Sequence, residues 1–139
     1  MKNKTLLFTL NKKSHSRGNP DLLRITLFPD RTKIDFGYTA KEMYDSGGWI
    51  RMEKDTFIEI KETGKRYFLT HSEGIPINPE HHYFESIKEW RYFSLYFPAI
   101  APTNCTINII EIENGSINDF NYYDIELKME NGVEVLGNN

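Results

Sequence analysis

Residues 23–38 read Leu-Arg-Ile-Thr-Leu-Phe-Pro-Asp-Arg-Thr-Lys-Ile-Asp-Phe-Gly-Tyr, and they give the clearest indication of the fold class. Apolar and polar residues alternate over 23–27 and again over 33–38, which is the two-residue period of a strand with one buried face. Between the two segments, Pro29 fixes its own φ and Asp30 can hydrogen-bond to its own backbone, so residues 28–32 have the composition of a turn. The stretch therefore predicts a β-hairpin.

The same alternation recurs along the rest of the chain, where further strands are predicted over 49–52, 56–60, 66–70, 90–97, 106–112 and 120–128. Thr63 and Gly64 lie between two of these segments and predict a second hairpin. Residues 91–97 form the strongest segment, and we expect a central strand there. Eight or nine short strands separated by turns are typical of an antiparallel β-sandwich or a small barrel, so the fold class is all-β.

Two segments interrupt the strand pattern. Thr39 and Glu42 have the spacing of a capping box, which predicts a single helical turn that ends at Gly47-Gly48. Residues 79–90 begin with a proline and carry apolar residues at helical spacing. A short helix and a wrapped loop both fit residues 79–90, so at most one or two helical turns are expected in the chain.

The 139 residues fit one domain, with a hydrophobic fraction of 39% and 14% aromatic residues. We expect a basic N-terminal arm or short strand over 1–20, the β-sandwich over 21–130 and a weakly structured tail over 131–139. The first twenty residues carry +5, and since the whole chain carries −3, the remainder carries −8. An acidic body argues against nucleic acid as a partner, because neutralising phosphates supplies most of that affinity.

The N-terminal residues bear on localisation. Thr5–Leu10 is a run of six residues that follows lysines, but no small-residue cleavage site comes after it, so a short strand is the better interpretation than a signal peptide. No segment reaches the roughly 18 apolar residues of a membrane helix, so no membrane span is expected. Cytoplasmic is the default expectation, and export from a longer precursor stays open.

The sequence lacks the usual motifs of catalytic and metal-binding sites. Cys105 is the only cysteine, which excludes an intrachain disulfide and a multi-cysteine metal site. His81 and His82 are adjacent, so their side chains diverge on a strand or a helix and do not share one ion. No glycine-flanked serine and no glycine-rich phosphate loop occur. We therefore expect no enzyme activity, no cofactor and no metal.

Aromatic residues provide the candidate binding site. Phe93, Leu95 and Phe97 predict the buried face of strand 91–97, and its opposite face carries Tyr92, Ser94 and Tyr96. Exposed tyrosines offer contact area together with a polar group, which suits protein or sugar recognition. The candidate binding residues are Tyr92, Tyr96, Tyr122, Trp49 and Trp90.

The last long strand divides its residues between two faces. In residues 120–128 the alternation places Asp124, Glu126 and Lys128 on the solvent face. Tyr123 joins Ile125 and Leu127 on the opposite face, and Tyr122 is expected to point outward.

The order of motifs carries a resemblance over about two-thirds of the chain. These motifs are Thr32-Lys-Ile-Asp-Phe-Gly-Tyr-Thr39, Gly47-Gly-Trp-Ile50, Asp55-Thr-Phe-Ile58, Tyr67-Phe-Leu69, Glu73-Gly-Ile-Pro-Ile77, Phe93-Ser-Leu-Tyr-Phe-Pro98, Ile107-Asn-Ile-Ile-Glu111 and Phe120-Asn-Tyr-Tyr-Asp-Ile125. Together they resemble a small immunoglobulin-like β-sandwich module of Bacteroidetes proteins, mostly of unknown function. The resemblance implies a bacterial, immunoglobulin-like sandwich. That module sometimes precedes a thioredoxin-like domain. Since this sequence contains no Cys-x-x-Cys, the resemblance does not imply a redox activity.

Three functions follow as expectations. The first is a non-enzymatic interaction module that binds a protein partner, or a second copy of itself, through the aromatic sheet face or an edge strand. The second is a β-sandwich that binds a small ligand or a carbohydrate. The third is an accessory domain of a redox or envelope protein.

Overall fold

The computed structural model describes residues 4–12, 20–39, 49–50, 52–75, 77, 82–83, 90–113 and 120–135. Within these ranges the chain is almost entirely β-structure. Its strands are β1 (Leu6–Lys12), β2 (Asp21–Leu27), β3 (Arg31–Thr39), β4 (Trp49–Ile50), β5 (Phe57–Ile60), β6 (Arg66–Phe68), β7 (His71–Glu73), β8 (His82–Tyr83), β9 (Trp90–Pro98), β10 (Cys105–Ile110), β11 (Tyr122–Leu127) and β12 (Val133–Glu134), with one 3₁₀ turn at Met129–Asn131.

The strands form two main antiparallel sheets, which confirms the all-β sandwich. The six-stranded sheet has the order β12-β1-β2-β3-β9-β7, and the four-stranded sheet has the order β11-β10-β5-β6. Strands β4 and β8 form a separate pair. No helix of the described part has the length and apolar character needed to cross a membrane.

Both predicted hairpins are confirmed. Strands β2 and β3 pair antiparallel, and the backbone N–H of Phe28 donates to the carbonyl of Arg31 across the turn at 2.9 Å. Strands β5 and β6 pair in the same way around Gly64, whose φ of 77° lies in the left-handed region that a residue without Cβ adopts freely.

The strong strand predicted at residues 91–97 is β9. It pairs with β3 over nine consecutive positions, from Arg31 opposite Pro98 to Thr39 opposite Trp90. It is an interior strand, but only the three-residue β7 separates it from the sheet edge. The inward residues Phe93, Leu95 and Phe97 are at most 3% exposed, as the alternation predicted.

Residues 66–70 do not form one strand as predicted. Strand β6 ends at Phe68, and the chain then passes from the four-stranded sheet to the six-stranded sheet. The N–H of Leu69 donates to Thr56 of the four-stranded side, and the N–H of Thr70 donates to Tyr96 in β9, both at 2.8 Å. This corner closes one side of the sandwich.

Strand β11 contains a bulge that corrects the predicted register. Ile109 pairs with Tyr122 and Ile107 pairs with Ile125, so between these pairs two residues of β11 lie opposite one residue of β10. Asp124 has φ 58° at this point, and its N–H donates to the side-chain oxygen of Asn108 at 2.9 Å. The extra residue shifts the alternation.

Tyr122 therefore lies in the core at 1% exposure, whereas Tyr123 is 44% exposed. Both tyrosines were predicted on the opposite faces, and those predictions are wrong. Ile125 and Leu127 are buried and Asp124 is exposed, as expected, because the predicted pattern holds on the C-terminal side of the bulge.

The core lies between the two sheets. The ring of Phe36 stacks on that of Phe93 at 4.9 Å within the six-stranded sheet and lies 5.5 Å from the ring of Tyr122 on the other sheet.

Two sequence predictions fall mainly on residues outside the description. The predicted helical turn, with its capping box and its glycine stop, spans residues 39–48. Of these, Thr39 ends β3, and residues 40–48 lie outside the described residues. In residues 79–90, His82 and Tyr83 form β8 and Trp90 begins β9, and the others lie outside the described residues.

Candidate functional site: a groove on the outer face of the six-stranded sheet

Four neighbouring strands carry a row of polar side chains on the outer face of the six-stranded sheet. Arg24 of β2 lies opposite Asp35 of β3, Asp35 lies opposite Ser94 of β9, and Ser94 lies opposite Glu73 of β7. We call these four residues the polar row. It runs across the strands, with a cation at one end and an anion at the other.

Asp35 forms the floor of the row. It is only 8% exposed, and its carboxylate accepts hydrogen bonds from Arg24 Nε at 2.8 Å and from Ser94 Oγ at 2.5 Å. The Nζ of Lys33 lies 3.8 Å from the same carboxylate. A buried carboxylate held by a guanidinium and a hydroxyl is satisfied, so it fixes the two flanking side chains in place.

Tyr92 borders the row on one side and is 68% exposed. Its cross-strand neighbour is Gly37, and a Cβ added at Gly37 would lie 3.3 Å from Tyr92 Cε1 and 3.4 Å from Leu23 Cδ1. The glycine thus leaves the space over which the ring lies. An exposed aromatic ring supported from below is a preorganised contact surface.

Tyr96 borders the row on the other side but is covered. It is 9% exposed, its hydroxyl donates to Glu73 Oε1 at 2.6 Å, and the ring of His71 stacks on it at 4.2 Å with an interplanar angle of 5°. Burial, followed by the hydrogen bond to Glu73, raises the pKa of Tyr96 to about 12. The side chain of Tyr96 is therefore uncharged at neutral pH, and its hydroxyl holds the carboxylate of Glu73 in position.

These side chains enclose an open groove of about 320 Å³. The loop after β7 closes one end, where Gly74 has φ 83° and a Cβ would lie 2.7 Å from the carbonyl oxygen of Tyr92. The groove is lined by Leu23, Arg24, Lys33, Asp35, Phe36, Glu73, Gly74, Tyr92, Phe93 and Ser94.

The structure brings together only part of the predicted site. Tyr92 and Tyr96 share the outer face of β9, but Tyr122 lies in the core on the far side of the sheet. Trp49 and Trp90 lie in β4 and β9, and their side chains are outside the description.

The sequence did not predict that Arg24, Asp35 or Glu73 belongs to the site. Alternation alone places Arg24 and Asp35 at outward positions of the first hairpin. Their proximity to Tyr92 depends on the pairing of β3 with β9, two segments that are more than fifty residues apart.

A smaller depression of about 190 Å³ lies on the outer face of the four-stranded sheet. The guanidinium of Arg66 lies 4.4 Å from the ring centroid of Phe57 and pairs with Glu113 at 2.6 Å. Phe68 and Tyr123 are 51% and 44% exposed near it. All three guanidinium nitrogens of Arg66 donate to Glu59 or Glu113, whereas Arg24 of the polar row donates to a described residue through Nε alone, so Arg24 keeps more capacity to bind a partner.

The described residues offer little for covalent or metal chemistry. Burial, and then the charge of Glu62, raise the pKa of the Cys105 thiol, which disfavours the reactive thiolate. No group of three or more His, Cys, Asp or Glu side chains in the described ranges could hold a metal ion. The groove can bind and orient a ligand through the described side chains that line it.

Comparison of the chain with protein-family models, with curated proteins and with solved structures found no significant match.

Proposed function

We propose that the protein is a non-catalytic binding module, and that the outer face of the six-stranded sheet contacts a protein partner. The observation that carries this proposal is the exposed ring of Tyr92, which rests on Gly37 beside the polar row. Tyrosine is enriched where protein surfaces meet, because its ring gives contact area while its hydroxyl keeps a polar partner.

Preorganisation supports the same proposal. Gly37 lies beneath the ring of Tyr92, and Asp35 holds Arg24 through Nε. A partner that docks on this face therefore orders few additional side chains, and this lowers the entropy cost of association. Arg24 and Glu73 at the two ends of the row would fix the orientation of the partner.

A photo-crosslinking experiment tests the assignment of this face. Tyr92 is replaced by p-benzoylphenylalanine, and the full chain is irradiated in the cells that express it. The same substitution at Tyr123, an exposed tyrosine on the other sheet, is the matched control. We expect one discrete adduct from position 92 and none of that mass from position 123.

Equal adducts from both positions, or none from position 92, would overturn the proposal. A Gly37→Ala variant adds a graded test, because its methyl group would push against the ring of Tyr92 from below. It should reduce the adduct yield at position 92 without unfolding the chain.

A carbohydrate is the second candidate ligand. The groove volume of about 320 Å³ lies at the lower end of the range for small-ligand sites, and it combines an aromatic ring with carboxylate, hydroxyl and guanidinium groups. Thermal shift against a glycan panel tests it, since a ligand that binds only the native state raises the melting temperature. A shift that Tyr92→Ala abolishes would favour the carbohydrate over a protein.

The sandwich architecture is compatible with the immunoglobulin-like type that the motif order implies, and we propose that type for this chain. An interaction module of a bacterial protein, acting in the cytoplasm or as an accessory domain of an envelope or redox protein, fits such a fold. An experimental structure would test the proposed strand topology.

A further inference from the structure

We propose that the partner of the outer face is a second copy of this chain, bound across a two-fold axis that runs parallel to the strands between β3 and β9. This inference rests on the proposed function of that face and names its occupant. The reason is that the charges of the polar row are self-complementary.

The polar row has the symmetry that such a dimer needs. Its four residues lie on four adjacent strands in register, so Arg24 and Glu73 are separated by three strand spacings, or about 14 Å. A two-fold axis midway along the row exchanges its ends. It places Arg24 of one protomer opposite Glu73 of the partner subunit, and the converse pair forms at the other end.

Both ends retain hydrogen-bonding capacity. Arg24 uses Nε for Asp35, and no described residue bonds to its two terminal nitrogens; its side chain is 55% exposed. Glu73 accepts the Tyr96 hydroxyl at Oε1, and no described residue bonds to Oε2. A guanidinium with free terminal nitrogens and a carboxylate with a free oxygen form a directional pair.

The neighbouring rows are complementary under the same axis. Lys33 lies opposite Tyr96 within one chain, with its Nζ 6.0 Å from the centroid of the ring. The axis brings each Lys33 opposite Tyr96 of the partner subunit. It also brings each Tyr92 toward Gly37 of the partner subunit, and because the ring of Tyr92 lies over Gly37 within each chain, the two Tyr92 rings meet at the axis.

The contact between the two protomers covers the four strands that carry the polar row, β2, β3, β9 and β7. Strands β1 and β12 lie outside it, at the far side of the sheet. A contact confined to one face of four short strands belongs with the small, transient interfaces, so we expect the dimer to dissociate on dilution. Because two ion pairs form its ends, the association should weaken as salt rises from about 0.05 M to 0.5 M.

Charge exchange tests the pairing directly. Arg24→Glu and Glu73→Arg are made separately, and self-association is followed by sedimentation velocity over 5 μM to 1 mM. Each single variant places like charges at both ends of the dimer and should weaken self-association about tenfold or more. An equimolar mixture restores opposite charges at both ends, so a heterodimer of near wild-type affinity should form.

Arg24→Glu sets a second carboxylate beside the buried Asp35, so its folding is checked by circular dichroism. The readout that does not depend on that variant is the cross-linker at position 92. We expect an adduct of twice the 16.4 kDa chain mass, with the link mapped to the segment that contains Gly37.

The outcomes separate the two proposals. A chain that stays monomeric to 1 mM, or a mixture that does not associate better than the single variants, overturns the dimer. If position 92 then links to a different protein or if a glycan protects Tyr92, the face still binds and only its occupant changes. If position 92 forms no adduct, both the dimer and the protein-binding function are overturned.

Discussion

The hydroxyl of Tyr122 donates a hydrogen bond to the backbone carbonyl of Pro20, 102 positions earlier in the chain. Tyr122 begins β11 of the four-stranded sheet, and Pro20 directly precedes β2 of the six-stranded sheet, so the bond joins the two sheets. Burial, followed by the charges of Asp21 and Glu111, raises the pKa of Tyr122 well above its usual value. The hydroxyl therefore remains protonated and able to donate at neutral pH.

We expect Tyr122→Phe to lower the free energy of unfolding by about 1–2 kcal/mol, because it leaves the Pro20 carbonyl without this donor. Urea denaturation followed by tryptophan fluorescence measures the loss. Tyr67→Phe is the matched control, since the hydroxyl of Tyr67 bonds to no described residue. Equal losses in the two variants would show that the bond adds nothing.

The bulge in β11 predicts an unusual order of stabilities at position 124. The left-handed φ of 58° strains a β-branched residue but suits glycine or asparagine. Asp124→Val should lower the free energy of unfolding by about 1–3 kcal/mol, whereas Asp124→Gly and Asp124→Asn should stay close to wild type. Lys61→Ala controls for the lost ion pair with Asp124. If valine is tolerated as well as glycine, the bulge is absent.

The floor of the groove should show coupled energetics. Ser94→Ala removes the donor and Asp35→Ala the acceptor of one hydrogen bond, so a double-mutant cycle should give a coupling energy of about 1–2 kcal/mol. Asp35→Ala combined with Tyr67→Phe on the other sheet should be additive within about 0.5 kcal/mol. Additivity in the first cycle would contradict the bond.

Two glycines with similar backbone angles should differ in their tolerance of alanine. Gly64 and Gly74 have φ of 77° and 83°, but a Cβ at Gly64 meets nothing within 4 Å, whereas a Cβ at Gly74 would lie 2.7 Å from a backbone oxygen. Gly64→Ala should cost about 1 kcal/mol for the backbone angle alone. Gly74→Ala should cost at least about 1–2 kcal/mol more, because backbone atoms must move. Thermal denaturation of both variants measures this difference.

Alkaline pH should selectively weaken the wild-type protein through Tyr96. Its folded pKa of about 12 lies above the usual value of 10.0. The stability that comes from keeping it protonated is therefore complete below pH 10 and is lost as the pH rises through 12. Tyr96→Phe should be less stable than wild type at pH 8, and the gap should narrow between pH 10 and 12. A constant gap, measured by urea denaturation at each pH, would contradict the raised pKa.

Local structure could be predicted from the amino-acid sequence alone. Alternation and turn residues specified the β2–β3 and β5–β6 hairpins, and they placed Phe93, Leu95 and Phe97 in the core. These features depend on neighbours along the chain, because a period of two residues divides a strand into a buried face and a solvent face. For the same reason the sequence placed Tyr92 on the solvent face of β9.

The contacts across strands, and the point at which the two-residue period breaks, depend on the three-dimensional fold. The left-handed residue at Asp124, held by Asn108 of another strand, moved Tyr122 into the core, and alternation in β11 alone does not reveal this shift. Likewise, Tyr96 is covered by His71 and Glu73 only because the chain changes sheets after β6. The polar row forms because β3, β7 and β9 pair in one register, and such long-range pairing depends on burying both sheets together.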